Sequence, residues 1–244
     1  MRLTHFKLCP FSRAARILIG ELHLEAHLDP VLPWALTPAF LNKTPSARLP
    51  VLELDDETHL SGFYALSEFM ADAQIHEMDI ADLLTGAPHS DELPAKPLAV
   101  MPGDIEDRAE IRRLIEWFHQ KCDREVTQEF LYEKVRLVLD RRVAAPPNAG
   151  ILRSARSNLR YHLDYIGFLS DQRRWLGGDD FSLADIVAAA HVSIADYLGE
   201  IIWEDVPHAL GWYQRVKSRK SFRPLLGDRL VGVAPAAHYA ELDF

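Results

Sequence analysis

Leu3-Thr4-His5-Phe6-Lys7-Leu8-Cys9-Pro10-Phe11-Ser12-Arg13 is the stretch on which the fold turns. Residues 3–8 form an apolar-rich extended run, and Cys9-Pro10 ends it at a point where proline can open a helix. Residues 12–22 then carry Ala15, Ile17, Leu18 and Leu22 at helical spacing. Residues 23–32 alternate as a second strand, and residues 33–45 are irregular and marked by proline. Pro50-Val51-Leu52-Glu53-Leu54 and Thr58-His59-Leu60 flank Asp55-Asp56-Glu57 as a hairpin, and residues 64–70 close as a helix. The order β-α-β followed by β-β-α predicts a mixed, layered domain over residues 1–71 rather than a bundle.

Outward from that domain the pattern changes. Residues 72–104 contain Pro88, Pro94, Pro97 and Pro102 among scattered acids and read as a long linker. Residues 105–143 repeat Ile111, Leu114, Ile115, Phe118 and Cys122 on one helical face, until Pro146-Pro147 breaks the pattern. Residues 152–169 carry Leu159, Leu163 and Ile166 at the same spacing. Ser182-Leu183-Ala184-Asp185 is a capping box, with Phe181 and Ile186 as its hydrophobic staple, so a helix starts there. A last helix covers residues 208–218, within an all-helical domain of residues 105–222. Residues 223–244 form a tail without helical period, too apolar for ordinary disorder, which either packs along the body or offers a docking strip.

Composition narrows the function. The 244 residues carry 27 basic and 36 acidic side chains, a net charge of −9, and 48% are hydrophobic, which describes a folded chain with a substantial core. The acidic balance opposes non-specific binding to nucleic acid. No apolar run approaches the roughly 20 residues of a membrane span, and the N-terminus lacks the pattern of a secretory signal, so a cytoplasmic location is expected without membrane insertion.

Cys9 stands where a strand turns into a helix, and the free amides there favour a thiolate. Either it acts as a nucleophile or it fills the turn as a small side chain. Ser12 occupies the place of a second cysteine, so no dithiol couple exists. Cys122 falls on an apolar helix face and reads as core. The histidines have no metal-ligand spacing, and no metal is expected. Leu49-Pro50 opens a strand, and a cis bond there would expose the Leu49 backbone to an extended ligand. Trp117, Trp203 and Trp212 lie in helical segments as packing residues, whereas Trp34 follows Pro33 in irregular chain, as a contact anchor would.

Taken in order, Cys9 to Arg13, Ala47 to Leu52, Tyr64 to Met70, Pro102-Gly103-Asp104, Arg108 to Phe118, Phe181 to Ile186 and Trp212 to Arg215 resemble the glutathione S-transferase superfamily. The resemblance implies an α/β thioredoxin-like N-terminal domain, an all-α C-terminal domain, a cis Pro50 and a homodimer. It also implies that Cys9, with Ser12 beside it, is the catalytic turn, and that glutathione would lie against Phe11, Leu49, Pro50, Gly62 and Phe63. One departure is marked: the family's acid-serine pair before the closing helix is replaced by Gly62-Phe63, which removes a hydroxyl and a carboxylate and puts a bulky ring at the seat. Charge-assisted hydrogen bonds of about 1.5–3 kcal/mol each are lost with that pair. Helix amides remain as an anion site.

More narrowly, Phe6 to Arg13, Arg48 to Leu52, the missing acid-serine pair and the ending His238 to Phe244 resemble the glutathione-transferase-like division proteins of alphaproteobacteria, the FtsZ-localised protein A type. That resemblance implies a dimer at the division site that binds FtsZ and bridges or curves its filaments, with little or no glutathione conjugation and no cofactor. Trp34, Asp228, Arg229, His238, Tyr239, Leu242 and Phe244 are then its partner-binding residues. The alternatives are a glutathione-dependent transferase or thiol transferase working through Cys9, and a redox-sensing adaptor glutathionylated there.

Overall fold

A computed structural model describes residues 1–54, 58–75 and 99–242. The chain divides into two compact units, Met1–Met101 and Pro102–Phe244. In the first, strands β1 (Arg2–His5), β2 (His27–Pro30), β3 (Val51–Glu53) and β4 (His59–Ser61) form one sheet in the order β2-β1-β3-β4. β1 runs parallel to β2, with Leu3 opposite Leu28, and antiparallel to β3, with Leu3 opposite Leu52. Leu3 and Leu52 are buried, whereas the edge strand β2 leaves Leu28 exposed. Helix α1 (Pro10–Glu21) is buried along Ala14, Ala15, Ile17 and Leu18 and touches α3 (Phe63–Ile75). His23, at φ 58°, ends α1 in the left-handed region.

The β-α-β then β-β-α order is as read from the sequence, and two details differ. A short helix, α2 (Pro38–Lys43), interrupts the irregular region, capped by Thr37, whose hydroxyl accepts from the Phe40 amide at 3.2 Å. Helix α3 runs on to Ile75, past the expected boundary at residue 71, and the Gln74 side chain accepts from the Val100 amide at 2.8 Å. The hairpin turn at residues 55–57 and the linker over residues 76–98 lie outside the described residues.

The second unit is helical. Helix α4 (Ile105–Glu116) opens with Asp104 accepting from the Glu106 and Asp107 amides, while the Asp107 carboxylate accepts from the Asp104 amide. It continues through π-helical turns at Trp117–Thr127 and Leu131–Arg136 to a final turn at Leu137–Leu139. This ends short of residue 143, because the Asp140 carboxylate turns back to accept from the Arg142 amide and guanidinium. Helices α5 (Ala149–Gln172), α6 (Leu183–Tyr197) and α7 (Pro207–Lys217) follow, then a single short helix, α8 (Arg223–Leu226).

All fifteen residues of α6 are buried, which makes it the axis of the unit. Its start falls where the capping box placed it: the Ser182 hydroxyl accepts from the Ala184 amide at 3.3 Å, and Asp185 accepts from the Leu176 amide and from Trp212 Nε1 at 2.8 Å. Burial pushes the Asp185 carboxyl up to about 6. Among the described residues no helix is long and apolar enough to cross a membrane.

Candidate functional site

The sequence singled out two regions, one in each unit. In the first unit Cys9 is the N-cap of α1 with extended backbone, and Pro10 takes the first helical position, where its missing amide costs nothing. The thiol is half-buried, with Sγ 3.9 Å from the Leu49 carbonyl. The Leu49–Pro50 bond is cis, as the resemblance implied, and the Pro50 carbonyl accepts from the Gly62 amide at 2.8 Å. Cys9, Leu49 and the start of α3 are thereby brought together by β1, β3 and β4, with Phe11 half-buried on the first turn of α1.

Ser12 is fully buried, and its hydroxyl accepts from the Phe6 amide at 3.3 Å, which closes the β1–α1 turn. Phe63 is 3% exposed, and beyond the chain neighbours of Gly62 nothing lies within 4 Å of where a Cβ would stand there, at φ 86°. The seat at the start of α3 lacks an acid and a hydroxyl at positions 62 and 63. The hydroxyls nearest in sequence were missed. Thr44, buried at the end of α2, meets Ser61 at 2.5 Å and Ser46 at 3.1 Å, just ahead of Gly62. The signal was Ser61 standing one residue before the glycine. Trp34 is half-buried, edge-on to Phe6 at 5.7 Å. Cys122 is core, as read, and burial pushes its thiol far up.

The second region is the tail, which belongs to the helical unit and is bound down by α6. Tyr197 accepts from the Leu230 amide at 3.1 Å, donates to the Val233 carbonyl at 2.8 Å, and through its own carbonyl takes the Ala236 amide at 2.8 Å. Asp196, also fully buried, accepts from Trp203 Nε1 at 3.1 Å and Tyr213 Oη at 3.1 Å, and meets Lys217 Nζ at 3.5 Å. His238 Nε2 lies 2.9 Å from the same carboxylate. Burial pulls the Lys217 ammonium down in pKa, and the Asp196 charge opposes that. The ammonium also faces the rings of Tyr213 and Tyr239 at 5.7 Å each.

Of the two readings of the tail, these contacts show it packed along the body. Tyr239 is 0% exposed and donates to the Leu225 carbonyl at 3.1 Å, and Asp228 is 7% exposed, so neither presents its side chain to a partner. His238 is engaged by Asp196. Arg229 remains outward, donating to the Leu226 and Asp228 carbonyls, Leu242 is half-buried, and Phe244 lies outside the described residues. Val231 was not singled out, yet it is 93% exposed at the tip of a turn whose third residue, Gly232, sits at φ 89°.

Comparison with known proteins places these regions in context. The N-terminal domain of the glutathione S-transferase family matches residues 8–73, and its C-terminal domain matches residues 139–215. FtsZ-localized protein A of Caulobacter vibrioides is 40% identical over 242 residues, covering 99% of this chain and 97% of that protein. The solved structure of FzlA from C. crescentus superposes with a TM-score of 0.85 at 37% identity, over 100% of both chains. A crystal structure described as a glutathione S-transferase from Sinorhizobium meliloti 1021 superposes with a TM-score of 0.87 at 38% identity, over 100% of this chain and 99% of that one.

Proposed function

The chain belongs to the glutathione S-transferase family, and we propose that it serves there as a dimeric division protein that binds FtsZ filaments and bridges or curves them, not as a conjugating enzyme. The observation that carries this reading is the 40% identity to FtsZ-localized protein A along essentially the whole of both chains, tail included. The seat at Gly62-Phe63, without acid or hydroxyl, supports it by lacking the charge-assisted hydrogen bonds that hold an amino-acid carboxylate. A two-fold dimer presents each contact surface twice, which is what a filament bridge requires. Trp34, Arg229 and Leu242 supply the contacts in this reading, and the buried Asp228, His238 and Tyr239 hold the tail that carries them. The division site is its place of action.

The test is co-sedimentation of the full chain with FtsZ assembled in GTP. Pelleting that is lost in GDP and weakened in Arg229→Glu is the expected result, and a chain that stays in the supernatant with assembled FtsZ would overturn the proposal. A glutathione-dependent thiol chemistry at Cys9 is the second reading, favoured by the half-buried thiol at a helix N-terminus beside the Leu49 carbonyl. Retention on immobilised glutathione, lost in Cys9→Ala, would select it, and flow-through would remove it.

A further inference from the structure

We propose that the C-terminal end of α7, together with Arg174, is a docking surface for an acidic segment of a partner protein. From Pro207 to Leu226 the chain contains no Asp or Glu but carries Arg215, Lys217, Arg219, Lys220 and Arg223, in a molecule whose net charge is −9. Lys217 turns inward to Asp196. Of the other four, Arg215 donates to the Arg174 carbonyl at 3.1 Å, which joins the end of α7 to the turn after α5.

The surface is built, not merely charged. Trp175 and Phe181 pack edge-to-face at 4.9 Å and form its floor. The Arg219 guanidinium lies 3.9 Å above the centre of the Phe181 ring, and Arg215 lies 5.5 Å from that of Trp175. Stacking of this kind restricts a guanidinium plane, so less side-chain freedom is lost when a carboxylate arrives.

Four cations here, Arg219 not among them, are also left over from the chain's own ion pairing. Arg113, Arg142, Arg156, Arg160 and Arg173 each meet a carboxylate within 3.0 Å. Arg174, Arg215, Lys220 and Arg223 make no ion pair among the described residues, although acids outnumber bases 36 to 27. Asp179 and Asp180 occupy the same turn as Trp175 and are exposed without meeting these cations.

An acidic polypeptide fits better than a nucleic acid or a bilayer. Trp175 and Phe181 are buried beneath the arginines, which leaves no exposed ring to stack on bases and no apolar side chain to enter a membrane. A net charge of −9 also repels a dense phosphate array, while a short acidic segment meets only the local field.

This inference is independent of the FtsZ reading, and FtsZ pelleting is not its readout. The test is fluorescence anisotropy of a labelled oligoglutamate peptide with the full chain across a salt series. Phosphatidylglycerol vesicles and duplex DNA are run as parallel arms. We expect saturable peptide binding that weakens with salt and falls about tenfold or more in Arg174→Glu/Arg215→Glu/Lys220→Glu. Because Arg215 packs on Trp175, the pair Lys220→Glu/Arg223→Glu serves as a second variant, with a smaller loss and an unchanged melting temperature. The proposal is overturned by absence of peptide binding at low salt, by equal binding in both folded variants, or by preference for the vesicles or the DNA.

Discussion

Residues 27–46 and residues 228–242 both lie outside the long helices, are mixed in polarity and are marked by proline, yet they are held in opposite ways. In the first, Thr44 alone is buried, and α2 buries nothing. Its other side chains are half-buried or exposed, and Trp34 meets the Phe6 ring edge-on. The second sinks Asp228 and Tyr239 and is bonded at Tyr197 and Asp196 to α6, every residue of which is buried. Composition does not separate the two. The difference lies in whether the body offers a buried polar group that must be satisfied, because such a group enforces one position of the chain that covers it.

The largest effect expected from breaking that difference is at Asp196. Asp196→Ala removes the acceptor of Trp203 and Tyr213, the anchor of His238, and the charge opposite fully buried Lys217. Removing one partner of a buried ion pair costs about 3–5 kcal/mol, so urea unfolding should show a loss of that order, with proteolysis shifted to residues 228–242. A loss below about 1 kcal/mol would mean that Tyr197 alone holds the tail.

Acid should loosen the same unit next. Burial holds His119 down to about 3 and His162 down to about 4, and it pulls His191 well below its ordinary value. Each of these is lower in the folded chain than in the unfolded one, so the unfolded chain binds more protons below about pH 6.5, and stability falls as pH drops from there toward 4. Asp185, raised to about 6 by burial, acts the other way over the same range. Three histidines outweigh one carboxyl, and the paired acids such as Glu110, held to about 2 chiefly by its hydrogen bond to Arg113, add to the loss below pH 4.5. A net loss of about 2–4 kcal/mol between pH 7 and 4.5 is expected by urea unfolding at fixed ionic strength. A flat or rising profile would show these histidines protonated in the fold.

Two smaller changes sharpen the contrast. Gly232→Ala adds a Cβ 2.9 Å from Leu139 Cδ2 at φ 89° and should cost about 1–2 kcal/mol, read as a lower melting temperature. Trp34→Ala gives up one edge-on ring contact and should cost about 1 kcal/mol in stability while removing most FtsZ pelleting. Equal pelleting by folded Trp34→Ala would take the first segment out of the contact surface.

Much of this was legible because it is local. The Ser182–Asp185 capping box, the Cys9-Pro10 helix start and the helical spacing of Ile111, Leu114 and Phe118 depend on residues within a turn or two of one another, and the structure realises all three. The rest depends on turn geometry and packing that residue spacing does not encode. Tyr239 looks like a surface aromatic until Leu225 and Lys217 surround it. Ser12 looks like a vestige of chemistry until the Phe6 amide is seen to need an acceptor. The 3% exposure of Phe63 is set by how α3 packs, which no short window of sequence encodes. Helix α2 was missed because Pro38 was read as a breaker when, after Thr37, it opens a helix.

The smallest expected effect on stability is at Val231, and it separates strap from contact most cleanly. Its side chain is 93% exposed, while the backbone on either side is fixed by Tyr197 and by the 3.0 Å bond from the Val233 amide to the Leu230 carbonyl. Val231→Ser removes apolar surface that the fold does not use, so unfolding free energy should change by less than about 0.5 kcal/mol. If the turn exists to present that side chain, pelleting with FtsZ should weaken in a variant whose melting temperature is unchanged. If pelleting is also unchanged, the bonds from Tyr197 serve only to cover α6, and the contacts of the helical unit lie at Arg229 and Leu242 instead.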